Sequence, residues 1–195
     1  MKRGSNVYGM VLALAIIFSL SFVFVQNFGD MTGYATEATT VSNVTITKYL
    51  AISFSTNLSD GIVFGDIAAL PATNVNATHN YDNGSSGTSM FINVSTDGNT
   101  AVDFCLKSNA ALTNAALDTI GLGNETYANH STTNSSVPDV ANEVAFTGSY
   151  VKAGENVAVG TVNYYRFWLD VPVAQPSGDY NNTVSFKGVS TTLSC

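Results

Sequence analysis

The chain has 195 residues and a formal net charge of −7, enough for one ordinary domain behind a leading segment. Only 11% of its residues are charged, 14 acidic against 7 basic. A sparse, acidic surface excludes nucleic acid and anionic membrane surfaces as natural partners.

From Val7 to Val25 there is no charged residue. A hydrocarbon core of about 30 Å needs about 20 helical residues, so this run predicts one N-terminal hydrophobic helix. Lys2 and Arg3 precede it and hold the N-terminus on the cytoplasmic side, so everything after Gln26 is delivered outside. Three fates share that topology. In one, residues 1–26 are a signal peptide, with the small-x-small run Gly33-Tyr34-Ala35 as the cleavage site. In another, residues 7–25 stay in the membrane as an anchor. In the third, Lys2-Arg3-Gly4 is a prepilin-type processing site. Processing at Ala35 is favoured over retention. Residues 27–40 are small and polar and read as a linker.

Without Lys2 and Arg3 the exported part holds fourteen acidic and five basic residues, a net −9. Asn, Ser and Thr supply the polarity that charge does not. Asn-x-Ser/Thr occurs at Asn43, Asn57, Asn76, Asn83, Asn93, Asn124, Asn129, Asn134 and Asn181. Chance placement of the 20 asparagines gives about four such sequons. The excess reads as a glycoprotein whose sugars hydrate a charge-poor surface.

Residues 41–195 read as all-β. From Val41 to Phe54, Val44, Ile46, Leu50, Ile52 and Phe54 alternate with polar residues, which predicts a strand with one buried face. Gly61–Ile67 is a second short strand. Ser89–Ser95 and Ala101–Lys107 are expected to pair as a hairpin across Thr96–Thr100, with Asp97-Gly98 supplying positive φ. Ser108–Ile120 allows a short helix. Val144–Phe146, Val157–Val159, Val162–Val173 and Tyr180–Val189 complete the strands, with a turn at Ser177-Gly178-Asp179. Leu70–Thr88 and Gly121–Asn142 are polar and read as surface loops that hold five of the nine sequons. Short strands punctuated by Gly, Asn and Pro predict an antiparallel Ig-like β-sandwich.

Cys105 and Cys195 are the only cysteines. An even count in an exported chain reads as one disulfide, here tying the tail to the outer face of a mid-chain strand. Two free thiols, or an interchain bond through Cys195, are the alternatives.

No catalytic constellation is visible. His79 and His130 sit in polar loops without ligand or triad partners, and no phosphate loop or nucleophile elbow occurs. No resident cofactor is expected. The one metal candidate is Ca2+ on Asp97, Asn99 and Asp103, although the Asp-Gly pair already has a turn to make. Tyr164 and Trp168 form a candidate sugar-stacking face within an aromatic strand.

Phe167-Trp168-Leu169-Asp170-Val171-Pro172, followed by the stretch from Pro176 to Phe186, resembles the closing hairpin of exported Ig-like surface sandwiches. These include the WxL-type domains of bacterial cell surfaces and the fibre-forming surface proteins of archaea and bacilli. The likeness covers about 20 residues. It implies a structural or adhesive role at the cell surface rather than catalysis. The reading is therefore a non-catalytic envelope or filament subunit, self-assembling by strand addition through Thr36–Thr47. A membrane-anchored adhesin or glycan-binding module is the alternative.

Overall fold

The computed structural model describes residues 41, 43–82 and 86–195. The predicted N-terminal helix at 7–25, the linker at 27–40 and the sequon at Asn83 lie outside the described residues. The chain divides into two units, Met1–Thr45 and Ile46–Cys195. In the first, the described residues Val41, Asn43, Val44 and Thr45 have no regular structure and are exposed.

The second unit is antiparallel and all-β, as predicted. Its strands are β1 (Ile52–Phe54), β2 (Ala72–Asn76), β3 (Phe91–Val94), β4 (Val102–Ser108), β5 (Leu112–Thr113), β6 (Thr119–Ile120), β7 (Glu125–His130), β8 (Val144–Ala145), β9 (Val151–Val157), β10 (Val162–Val171) and β11 (Val184–Ser190). A single turn of helix, Thr56–Ser59, follows β1. One sheet runs β1-β3-β10-β7-β8, with β2 also paired to β10. A second runs β11-β4-β9, and β5 pairs with β6 in a small third sheet.

The two larger sheets share one core. Met90, Ile92, Val94, Tyr127, Tyr165 and Phe167 meet Val102, Phe104, Leu106, Ala153 and Val157 from the other sheet. Each fully buried large apolar side chain contributes about 1.5–3 kcal/mol. A second cluster joins Leu112 and Ile120 to Leu169 and Val171, the far end of β10.

The alternation at 90–94 and 102–106 reports burial correctly, but the predicted hairpin does not form. β3 pairs with β1 and β10, and β4 pairs with β11 and β9. Residues 95–101 carry the chain from one sheet to the other, so the two apolar faces stack across the core instead of lying edge to edge. Alternation defines which side of a strand is buried and is silent on its neighbour. Nor is Gly98 at positive φ; the turn closes through Ser95, whose carbonyl accepts from the Gly98 amide at 3.1 Å.

Four other expectations are corrected. Only Ile52–Phe54 of the predicted first strand is paired. Gly61–Ile67 is not a strand, although Ile62 and Phe64 pack on the core. The possible helix at 108–120 is instead the β5–β6 pair, whose turn is held by Asn114 Oδ1 accepting from the amides of Ala116 and Asp118. The polar stretches contain β2 and β7, and β7 lies inside the larger sheet between β10 and β8. Glu-Thr-Tyr-Ala-Asn-His carries little apolar alternation, so nothing local marks it as a central strand. The predicted turn at Ser177–Asp179 does form, with Gly178 at φ +154° against Asn114.

Candidate functional site

A groove of about 910 Å3 opens beside β11. Its floor is apolar, including Phe54, Ile62, Phe64, Leu169, Val171 and Phe186. Phe54 and Phe186 meet edge to face there, with ring centroids 5.3 Å apart. Asp66 and Asp179 stand exposed on its rim, and Glu125 forms part of its wall. Among the lining residues there is no Lys, Arg or His.

Glu125 begins β7 and pairs with Leu169, which places its side chain on the buried side. It is 2% exposed, and Asn182 Nδ2 donates to its Oε2 at 2.6 Å. Burial raises its carboxyl pKa above the ordinary range, and the Asn182 bond only partly opposes this. A carboxyl whose folded pKa exceeds its unfolded one binds its proton more readily in the fold. The cost is absent below the unfolded pKa, grows as pH rises above it and is complete above the folded one. Glu125→Gln keeps an acceptor for Asn182 and removes that cost. It is expected to raise Tm at pH 7 and to lose the advantage below about pH 4. Thermal unfolding at both pH values tests this, and an advantage that is equal at both would contradict it.

Residues 47–49 are tethered to the domain without being paired as a strand. Asn99 Oδ1 accepts from the Tyr49 amide at 2.8 Å, and Asn99 Nδ2 donates to the Thr47 carbonyl at 2.9 Å. Lys48 Nζ donates to Ser190 Oγ at 2.9 Å. Upstream of these ties the apolar side chains stand in solvent: Val41 is 81% exposed, Val44 84% and Ile46 80%. Among the described residues β11 is an edge strand that pairs on one side only, with β4.

The aromatic strand does not offer the predicted sugar-stacking face. Trp168 is 2% exposed, and its Nε1 donates to Asn76 Oδ1 at 2.9 Å. Half-buried Tyr164 packs edge-on against Phe91, with centroids 5.6 Å apart. The outer face of β10 is covered at Trp168 by Asn76 and at Arg166 by Asn80, Ser86, Asn134 and Pro138.

The Ca2+ candidates have other partners. Asn99 holds residues 47–49. Asp103 is buried, with Lys152 Nζ at 2.8 Å and the Asn156 amide donating at 2.8 Å. Burial alone would raise the Asp103 pKa, but the Asn156 amide and the Lys152 ammonium together bring it below the ordinary value. Asp97 Oδ2 accepts from Ser95 Oγ at 3.4 Å. No group of acidic, His or Cys side chains among the described residues is placed to hold a metal ion.

The sequons differ in access. Asn43, Asn76, Asn129, Asn134 and Asn181 are exposed, and Asn57, Asn93 and Asn124 are half-buried. Asn57 Nδ2, the atom a glycan would occupy, donates to Ser89 Oγ at 2.6 Å. Cys105 and Cys195 are joined, with Cα atoms 5.6 Å apart. Cys105 lies on the outer face of β4 and is fully buried.

Sequence reasoning missed Arg166. It is 1% exposed on the outer face of β10. Its guanidinium donates to the carbonyls of Asn80 at 2.8 Å, Pro138 at 2.7 Å and Ser86 at 3.4 Å, and to that of Asn134. It also stacks 4.1 Å from the centroid of the Tyr81 ring. Five planar donors suit such a carbonyl cage. The signal was present: Arg166 is the only arginine beyond Arg3. Asn80 beside it is fully buried and bonds both the amide and the carbonyl of Phe167, acting as a strand partner made of one side chain.

Comparison with protein-family models, with curated proteins and with solved structures returned no match.

Proposed function

We propose that this chain is a non-catalytic, exported and N-glycosylated structural subunit of a cell surface, an Ig-like sandwich whose copies join into an envelope or filament by strand addition. The observation that carries this reading is the pairing of opportunities around β11. Among the described residues an alternating apolar segment is unpaired and exposed, and the outer edge of β11, beside an apolar groove, has no strand partner. Val44 and Ile46, exposed in one copy, would each gain about 1.5–3 kcal/mol by burial in another. A free edge strand is a template for added strands unless it is blocked. β-Augmentation uses main-chain hydrogen bonds for affinity and alternate side chains in pockets for specificity. The donor is the segment Thr36–Thr47, of which residues 41 and 43–47 are described; the acceptor is the outer edge of β11.

The rest of the chain fits that role. A hydrophobic leader delivers the domain outside, a disulfide belongs in an oxidising compartment, and exposed sequons hydrate a surface with few charges. Changing Val44 and Ile46 together to Asp is expected to abolish fibres in negative-stain electron microscopy of the full chain. It should also leave a monomer by size-exclusion chromatography with an unchanged circular dichroism spectrum. Both positions are solvent-exposed, so the domain itself does not depend on them. Fibres that persist in this variant would overturn strand addition through this segment.

A further inference from the structure

Three of the described sequons lie on strands, at Asn76, Asn93 and Asn129. Asn76 stands opposite Trp168, and Asn129 follows Tyr127 by two residues, but both of those rings are buried. Asn93 has different surroundings. In β3, Ile92 and Val94 are fully buried in the core. Side chains alternate across a strand, so Phe91 and Asn93 share the opposite, outer face of the larger sheet.

Register supplies the neighbours on that face. Phe91 lies opposite Tyr164 and Asn93 opposite Val162, both on β10, while Ser53 of β1 flanks Asn93 on its other side. Tyr165 faces the core, so Tyr164 and Val162 face out. Directly opposed residues hold their Cβ atoms about 5 Å apart. Phe91 and Tyr164 meet edge to face with centroids 5.6 Å apart, and both remain half-buried. None of these positions carries a charged side chain. The sequon asparagine thus stands in an uncharged platform, beside two aromatic rings that keep part of their surface in solvent.

We infer that a glycan on Asn93 lies along the outer face of the larger sheet, with its first sugar ring packed on Phe91 and Tyr164. The link is an N-glycoside. Nδ2 loses one proton and takes the anomeric carbon of a sugar delivered on an activated phosphate carrier, whose phosphate leaves. One face of a pyranose ring presents C–H groups, which suit the negative face of an aromatic ring. The sugar is tethered beside its platform, so a contact too weak to capture a free saccharide is still populated. Tyr164 therefore serves the chain's own sugar, with Phe91 in place of Trp168. The inference rests on the reading that the chain is N-glycosylated, and adds which acceptor is structural.

Glycopeptide mass spectrometry of the full chain, purified in nonionic detergent from the cells that make it, should show Asn93 occupied. Thermal unfolding then reads the contact. Asn93→Gln should lower the Tm of the glycosylated chain by about 2–4 °C and leave that of chain made in a host without N-glycosylation unchanged. Phe91→Ser and Tyr164→Ser together should abolish this difference, so that Asn93→Gln costs nothing further in their background. Tyr164→Ser alone should shrink it, which keeps the test open if the double variant folds poorly. Asn181→Gln removes an exposed acceptor away from this face and should leave Tm unchanged.

Sugar at the exposed sequons with Asn93 bare overturns the inference and leaves the glycoprotein reading standing. No sugar at any sequon removes both. A Tm loss that Asn181→Gln matches, or that persists without the two rings, assigns the effect to sugar bulk and overturns the packing.

Discussion

Arg166→Met is expected to cost about 3–5 kcal/mol of stability. Methionine fills much of the volume but donates nothing. The carbonyls of Asn80, Ser86, Asn134 and Pro138 would lose a charged donor at once. A bond to a charged group is worth about 1.5–3 kcal/mol, and a buried acceptor left unpaired carries its desolvation cost. Water reaching the carbonyls of Asn80, Ser86, Asn134 and Pro138 recovers part of this, which keeps the total below the simple sum. Arg166→Lys should recover little, since a single ammonium cannot span four carbonyls set out for a planar fork. Denaturant unfolding measures the loss, and limited proteolysis should show faster cleavage within 131–142. A loss below about 1 kcal/mol would show that the loops hold themselves without the guanidinium.

Cys195→Ser is expected to cost about 4–5 kcal/mol. The cysteines are 90 residues apart in sequence, and freeing that loop returns its closure entropy to the unfolded chain. The bond also pins the tail across the outer face of β4, where Cys105 is fully buried. Wild-type protein unfolded under reducing conditions should match the variant. An equal midpoint for the oxidised and reduced chains would contradict the assignment. Either loss is a large part of the roughly 5–15 kcal/mol a domain possesses. Arg166 lies outside the larger sheet and the disulfide outside the smaller one, with no shared partner. The double variant should therefore be additive to within about 0.5 kcal/mol.

Much of the β architecture was legible residue by residue. Met90, Ile92 and Val94, then Val102, Phe104 and Leu106, then Tyr165, Phe167, Leu169 and Val171 each alternate, and each set faces inward. The cysteine pair and the antiparallel class followed from the same reading. The candidate site was half legible. The apolar alternation of Val44 and Ile46 was visible, but their exposure was not, because alternation predicts a buried face wherever a partner exists. The groove was not legible at all: its walls come from residues 54–70, 112–125, 169–186, and only folding brings them together.

What the amino-acid sequence determined alone is which side of most strands is apolar, where several turns fall, and that the two cysteines sit in an acidic, sequon-rich chain. Tertiary structure decided which strands are neighbours, turning an expected hairpin into a crossing between sheets and placing Glu-Thr-Tyr-Ala-Asn-His at the middle of one. It also decided that Trp168 is buried and that Arg166 has a cage. The physical reason is range. Side-chain direction repeats every two residues and is a local property. Strand partnership and the burial of polar groups depend on residues tens of positions away, whose carbonyls, as Arg166 shows, supply what the local sequence leaves unpaired.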